Sequence, residues 1–248
     1  MTRLKTEVSP SEEASFFVFL TERANCHYFE ALADPSQRLL PTEYRVRRID
    51  TRVFSVADQC ERQIYFVAGR QLATAERLEI LALDCAARFP EKLSLPDALA
   101  AIIEAGGVPV LNWSPGKWLF ERGKHVRALI ERSSGSDFLL GDISIRPGFW
   151  GEPGLFALAK SKGFRIVSGS DPLPLPGEEV RIGSYGVAVR LGTQTDEPGK
   201  LARRLLLDSS LQFATVGSRN TSVEAASRLL RNQRARSTYQ SSVSFPLR

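Results

Sequence analysis

Two histidines, one methionine and three cysteines are all that this 248-residue chain contains of those types. So few imidazoles leave little material for a zinc or transition-metal centre, which needs converging imidazole, thiolate or carboxylate lone pairs. Cys26, Cys60 and Cys85 are odd in number, widely spaced and free of any Cys-x-x-Cys pattern. That excludes a disulfide framework and makes a reducing, cytoplasmic setting the expectation. No apolar run reaches the roughly eighteen residues of a membrane span, and the longest patches, Phe16–Leu20 and Val108–Leu111, have the size of strands. The first residues lack the charged-then-apolar pattern of a secretory leader. Phosphate-cradling glycine motifs are also missing, and Gly183-Ser184-Tyr185-Gly186 reads as a turn. Ser168, Ser170 and Ser184 have no histidine in sight to activate them, so a serine nucleophile is not expected.

What is present is a chain with 43% hydrophobic residues, enough for a sizeable core, and a net charge of +5. The charge is unevenly placed. From Arg219 to the end stand six arginines against the single acid Glu224, which accounts for the whole excess and leaves the body near neutral. A nucleic-acid reader is expected to carry a basic face on its folded body, so nucleic acid is not the expected partner. The reading is therefore one α/β domain over residues 1–218, followed over 219–248 by a basic, solvated helix with a flexible polar end. A non-catalytic interaction protein whose basic tail, Arg219–Arg236, docks on an acidic partner or nucleic acid is the alternative.

Apolar runs bounded by turn formers predict strands at Phe16–Leu20, Tyr44–Ile49, Arg52–Val56, Ile64–Ala68, Leu78–Leu83, Val108–Asn112, Phe138–Leu140, Arg165–Val167 and Val187–Leu191. The clearest helix begins at Ser94 as N-cap, carries Pro96 and Asp97 in its first turn, and stops at Gly106-Gly107. Others are expected at Leu119–Arg132, with Leu119, Val126, Leu129 and Ile130 inward, and at Gly154–Lys162, Pro198–Leu207 and Ser222–Arg234. Strand and helix alternate from Ile64 onward, the signature of a parallel sheet. Tyr44–Leu83 interrupts that rhythm as a local antiparallel excursion. Ligands of such folds gather beyond the carboxyl ends of the strands, which directs attention to Gly106–Trp118, where helix stop, buried strand and a special turn follow one another.

Four short motifs stand at predicted strand ends: Thr21-Glu22-Arg23, Gly69-Arg70-Gln71, Asn112-Trp113-Ser114-Pro115 and Gly169-Ser170-Asp171-Pro172-Leu173. Their order resembles the polymerase-and-histidinol-phosphatase (PHP) superfamily over about Leu4 to Val189. The resemblance implies a single-domain distorted (β/α)7 barrel whose relatives hold two or three metal ions on histidines and carboxylates and hydrolyse phosphoesters. In this chain Glu22 and Arg23 stand where that pattern has Asp and His, Gln71 or Arg70 where it has Glu, and Trp113 where it has His. Leu173 replaces the last His beside Asp171, and Lys5-Thr6-Glu7 falls at the opening His-x-His.

Arginine and tryptophan do not coordinate metals, so the implied site is degenerate. His125 reads as a surface residue of its helix, and His27 as either a pocket residue or a helix start. The leading expectation is a pocket for an anionic or phosphorylated small molecule, lined by Glu22, Arg23, Arg70, Gln71, Trp113, Lys117, Arg146 and Asp171. Arginine forks would clamp the anion there, and no cofactor is needed. A single divalent cation on Glu7, Glu22, Asp142 and Asp171, serving a phosphoesterase, is the alternative. A third reading is a salt-bridge network among the same charges with no ligand at all. The run Asp171–Gly177, with three prolines, predicts a rigid extended loop across the mouth.

Overall fold

The computed structural model describes residues 14–37, 39–191 and 197–243. Glu7 and the opening motif lie outside the described residues. In chain order the elements are β1 (Phe16–Phe19), α1 (Tyr28–Ala33), β2 (Arg45–Arg48), β3 (Val53–Ala57), β4 (Gln63–Val67), β5 (Gly69–Ala73), β6 (Glu79–Leu83) and α2 (Leu95–Glu104). They continue with β7 (Val108–Asn112), α3 (Phe120–Arg132), β8 (Leu139–Ile143), α4 (Gly154–Ser161), β9 (Ile166–Gly169), β10 (Tyr185–Ala188), α5 (Pro198–Leu207), β11 (Ala214–Gly217) and α6 (Ser222–Val243). No helix of the described residues is long and apolar enough to cross a membrane.

These strands correct the barrel expectation. Among the described residues they form three sheets, ordered β1-β4-β3-β2, β5-β6-β7-β8-β9 and β10-β11, and none closes into a barrel. Parallel pairing survives in β1–β4 and through β7–β8–β9, whereas β2–β3–β4 and β5–β6–β7 run antiparallel. Connection length explains much of this. A parallel crossover needs about a dozen residues or more, and β5 returns into β6 through a tight turn in which Thr74 N–H donates to the Leu78 carbonyl at 3.0 Å. The antiparallel excursion expected over Tyr44–Leu83 coincides with β2–β6, and it builds most of the first sheet.

Ala68 joins the two larger sheets. Its N–H donates to the Arg52 carbonyl at 2.8 Å and its carbonyl accepts from Cys85 N–H at 3.0 Å, so the neighbour along that edge changes from β3 to β6 at one residue. Gly69 follows because a Cβ there would lie 2.3 Å from the Leu20 carbonyl oxygen. On the other edge β1 runs on beside β5, with Glu22 N–H on the Gly69 carbonyl and Gln71 N–H on the Glu22 carbonyl.

The largest core lies between the five-stranded sheet and α2, α3 and α4, and includes Ile80, Leu111, Leu140, Ile102, Ile130 and Phe156. Helix α2 forms as its sequence dictates: Ser94 Oγ accepts from Asp97 N–H at 3.2 Å, and Leu95, Ala98, Leu99 and Ile102 face inward. Each large side chain buried this way contributes about 1.5–3 kcal/mol. Its end closes as a Schellman motif, Gly107 N–H on Ile102 and Gly106 N–H on Ile103. In α3, Val126, Leu129 and Ile130 are buried as expected, but Leu119 precedes the helix and is 46% exposed.

Candidate functional site

Because β6 runs antiparallel to β7, its first residue lies at the same sheet edge as the last residue of β7. Glu79 pairs in register with Asn112, and Asn112 with Gly141. The Glu79 carboxylate collects Asn112 Nδ2 at 2.9 Å, Lys117 Nζ at 2.8 Å and Ser114 Oγ at 3.4 Å. Burial would raise this carboxyl, but the Lys117 charge and the side-chain hydrogen bonds from Lys117, Asn112 and Gln71 outweigh it and hold Glu79 below the usual carboxylate range. The turn after β7 supplies two of these partners, and Trp118 Nε1 fixes that turn by donating to the Asn112 carbonyl at 3.2 Å.

Asp171 follows β9 in a left-handed conformation, φ 43°. Burial and the nearby Glu79 charge push its carboxyl up to about 6, against the opposing influence of Arg228, Lys117 and Arg23. Glu79, Lys117, Asp171, Gln71 and the exposed Arg23 therefore share one electrostatic environment. They form the candidate site.

The remaining expected site residues divide into closed pairs elsewhere. Arg70 Nη1 meets Glu22 Oε2 and the Cys26 carbonyl, both at 2.8 Å, while Glu22 Oε1 accepts from Phe29 N–H at 2.8 Å. Both partners are buried, and among the described residues Arg70 Nε is the buried side-chain atom without a hydrogen bond. Arg146 Nε donates to Asp142 Oδ1 at 2.7 Å, and Tyr185 Oη donates to Asp142 Oδ2 at 2.9 Å. Arg146 and Asp142 are 5% exposed each, so this arginine is not open to a ligand. The expected set of anion clamps thus shrinks: Arg70 and Arg146 hold the fold, and Arg23 and Lys117 remain at the site.

The carboxylates proposed for a divalent cation are dispersed in the same way. Glu22 serves Arg70, Asp142 serves Arg146 and Tyr185, and Asp171 faces Glu79 and Lys117; no group of three or more His, Cys, Asp or Glu residues suited to a metal occurs among the described residues. Trp113 is 4% exposed and meets Trp150 edge-on at 5.8 Å between ring centres. His27 and His125 are both exposed, His27 just before α1 and His125 on α3.

Glu79 is the site residue that a search of carboxyl strand ends passes over. Its signal was a lone acid inside the apolar run Leu78–Leu83. Asn112 is held beside it by an absent side chain: a Cβ on Gly141 would stand 2.3 Å from Asn112 Oδ1. Gly141→Ala should therefore turn the Asn112 amide away and cost about 1–2 kcal/mol through the lost buried hydrogen bond. Denaturant titration checks this in two backgrounds. The cost should fall when Asn112→Ala is already present, and an unchanged cost would place its origin elsewhere.

No family model matches the chain, and no curated protein matches it. Among solved structures it is similar to the crystal structure of PsfC from Pseudomonas syringae PB-5123, with 15% sequence identity and a TM-score of 0.43 over 74% of this chain and 69% of that one.

Proposed function

We propose that this protein binds a small molecule through an anionic group, phosphate or carboxylate, at the open side of Glu79, Lys117 and Asp171. One observation carries the reading. Of the strand-end cations, Arg70 and Arg146 are sealed in buried pairs, whereas the Lys117 side chain keeps 33% of its surface exposed while its Nζ lies on Glu79. Arg23, exposed at the rim, adds a fork suited to a bidentate anion. Glu79 does not repel the ligand strongly because Lys117 neutralises it, and the raised Asp171 carboxyl sheds its charge as pH falls through 6.

The test is thermal melting with inorganic phosphate. A ligand at ten times its dissociation constant stabilises the folded state by about 1.4 kcal/mol, which is a shift of a few degrees for a chain of this size. The wild type should show it, and Lys117→Ala should lose it while remaining folded. Equal shifts in both proteins, or none in the wild type, would overturn the reading.

A further inference from the structure

Beside the polar cluster lies an open apolar cleft walled by Trp113, Trp118, Leu119, Trp150, Pro153 and Leu155. These are all three tryptophans of the chain. Trp113 and Trp118 are buried at 4% and 5% exposure, whereas Trp150 is 42% exposed, so the cleft presents one open ring above two fixed ones. Its walls are rigid. Trp118 stands edge-on to Phe156 at 5.4 Å and bonds the Asn112 carbonyl, and the segment carrying Trp150 is pinned because Arg146 and Arg219 both donate to the Trp150 carbonyl. Ser114 belongs to both sites, lining the cleft while its Oγ lies 3.4 Å from Glu79 Oε2.

Rigid aromatic walls that share a residue with a charged cluster suit a ligand with two unlike ends. We infer that the cleft takes a planar aromatic group whose anionic substituent reaches Lys117, so the substrate class is an aromatic phosphate or carboxylate. The inference rests on the proposed anion site and adds the identity of the rest of the molecule. Ring edges and faces of tryptophan favour T-shaped and offset contacts with a guest ring, and Trp150, the exposed member, offers the accessible ring for such a contact.

Because every tryptophan lines the cleft, intrinsic fluorescence of the full chain reads its occupancy directly. Titration with phenyl phosphate should shift or quench the emission and give a dissociation constant lower than that of inorganic phosphate by about tenfold or more. Trp150→Ala should abolish that gain and leave phosphate binding as it was. Equal affinities for phosphate and phenyl phosphate would overturn the aromatic cleft while leaving the anion site standing. Benzyl alcohol that perturbs the emission in a protein indifferent to phosphate would do the reverse, supporting the cleft and removing the anion site.

Discussion

Arg228→Ala should lower the stability of this protein by about 3–5 kcal/mol, because it leaves Glu178 as an unpaired charge in the interior. Arg228 is 2% exposed and Glu178 3%. Arg228 Nε lies 3.0 Å from both carboxylate oxygens, Nη1 reaches Ser144 Oγ at 3.3 Å, and Nη2 reaches the Asp171 carbonyl at 3.2 Å. The Asn220 amide, oriented with its nitrogen on the Ser144 carbonyl, accepts from Nη1 at 3.1 Å. Burial alone would raise the Glu178 carboxyl, yet the hydrogen bond from Arg228, the Leu173 N–H and the charges of Arg228 and Arg181 bring it below the usual range. Glu178→Ala should cost a similar amount by stranding the guanidinium. Replacing both partners with leucine should recover much of the loss, since apolar side chains of similar volume need no partner. Denaturant titration of the two single variants and the double variant measures the coupling. A loss below about 1 kcal/mol for Arg228→Ala would mean that the pair is as weak as a surface bridge.

That pair also changes the meaning of the basic C-terminal segment. Arg228 is one of the six arginines that the sequence assigns to a solvated tail, and it is instead the anchor that ties α6 to the proline-rich loop. Its bond to the Asp171 carbonyl, with the Glu178 bond to Leu173 N–H at 3.1 Å, fixes both ends of the segment leading out of β9. A variant without Arg228 should therefore lose ligand binding along with stability. Helix α6 extends to Val243, well past the expected end at Arg234.

Much of the local structure was legible from the residues. The strands at Phe16, Val53, Gln63, Glu79, Val108, Leu139 and Ile166 fall where β-branched and aromatic runs predict them, and α2 was fully specified by its cap, its apolar spacing and its glycine stop. The hand-over between sheets was not legible. Gly69-Arg70-Gln71 reads as a polar strand end, yet it is the start of β5, and its polarity reflects the partners Glu22 and Glu79 that other segments bring to it. Strand direction followed the same logic. The alternation of strand and helix gave β7 to β9 correctly as parallel neighbours, but it contains nothing about the turn at Thr74–Leu78, which reverses the chain and carries Glu79 into the site. The ion pairs differ in how readable they were. Asp142 and Arg146 are four residues apart, a spacing that can be inspected directly, whereas Glu22 and Arg70 are separated by 48 positions and meet only through the pairing of β1 with β4 and β5.

Asp171→Asn is expected to stabilise the protein at pH 7 by about 2–3 kcal/mol and to do little at about pH 4. The sign follows from proton binding. An unfolded aspartate titrates near 3.9, and in the folded chain burial and the Glu79 charge push Asp171 up to about 6. The folded state therefore holds its proton more tightly, and the penalty vanishes below about pH 3, where both states are protonated, and is already small at about pH 4. As pH rises from about 4 to 6 the unfolded state ionises first and stability falls; above 6 the whole penalty is present, at about 1.4 kcal/mol for each pH unit separating the two values. Asparagine cannot ionise, tolerates the left-handed backbone at φ 43°, and leaves the carbonyl that Arg228 binds untouched. Melting curves between pH 4 and 7.5 should thus show wild type and variant converging in acid and separating toward neutrality. A constant difference across that range would assign the effect to packing instead of ionisation. The same charge bears on the ligand: phosphate should bind the wild type more tightly as pH falls through 6, and Asp171→Asn should bind it at pH 7 with the acid-side affinity. A carboxyl with a raised pKa beside an ionised one is costly to a fold and is the arrangement that sites of binding and proton transfer use, which makes the two titrations together a measure of what Asp171 does in the site.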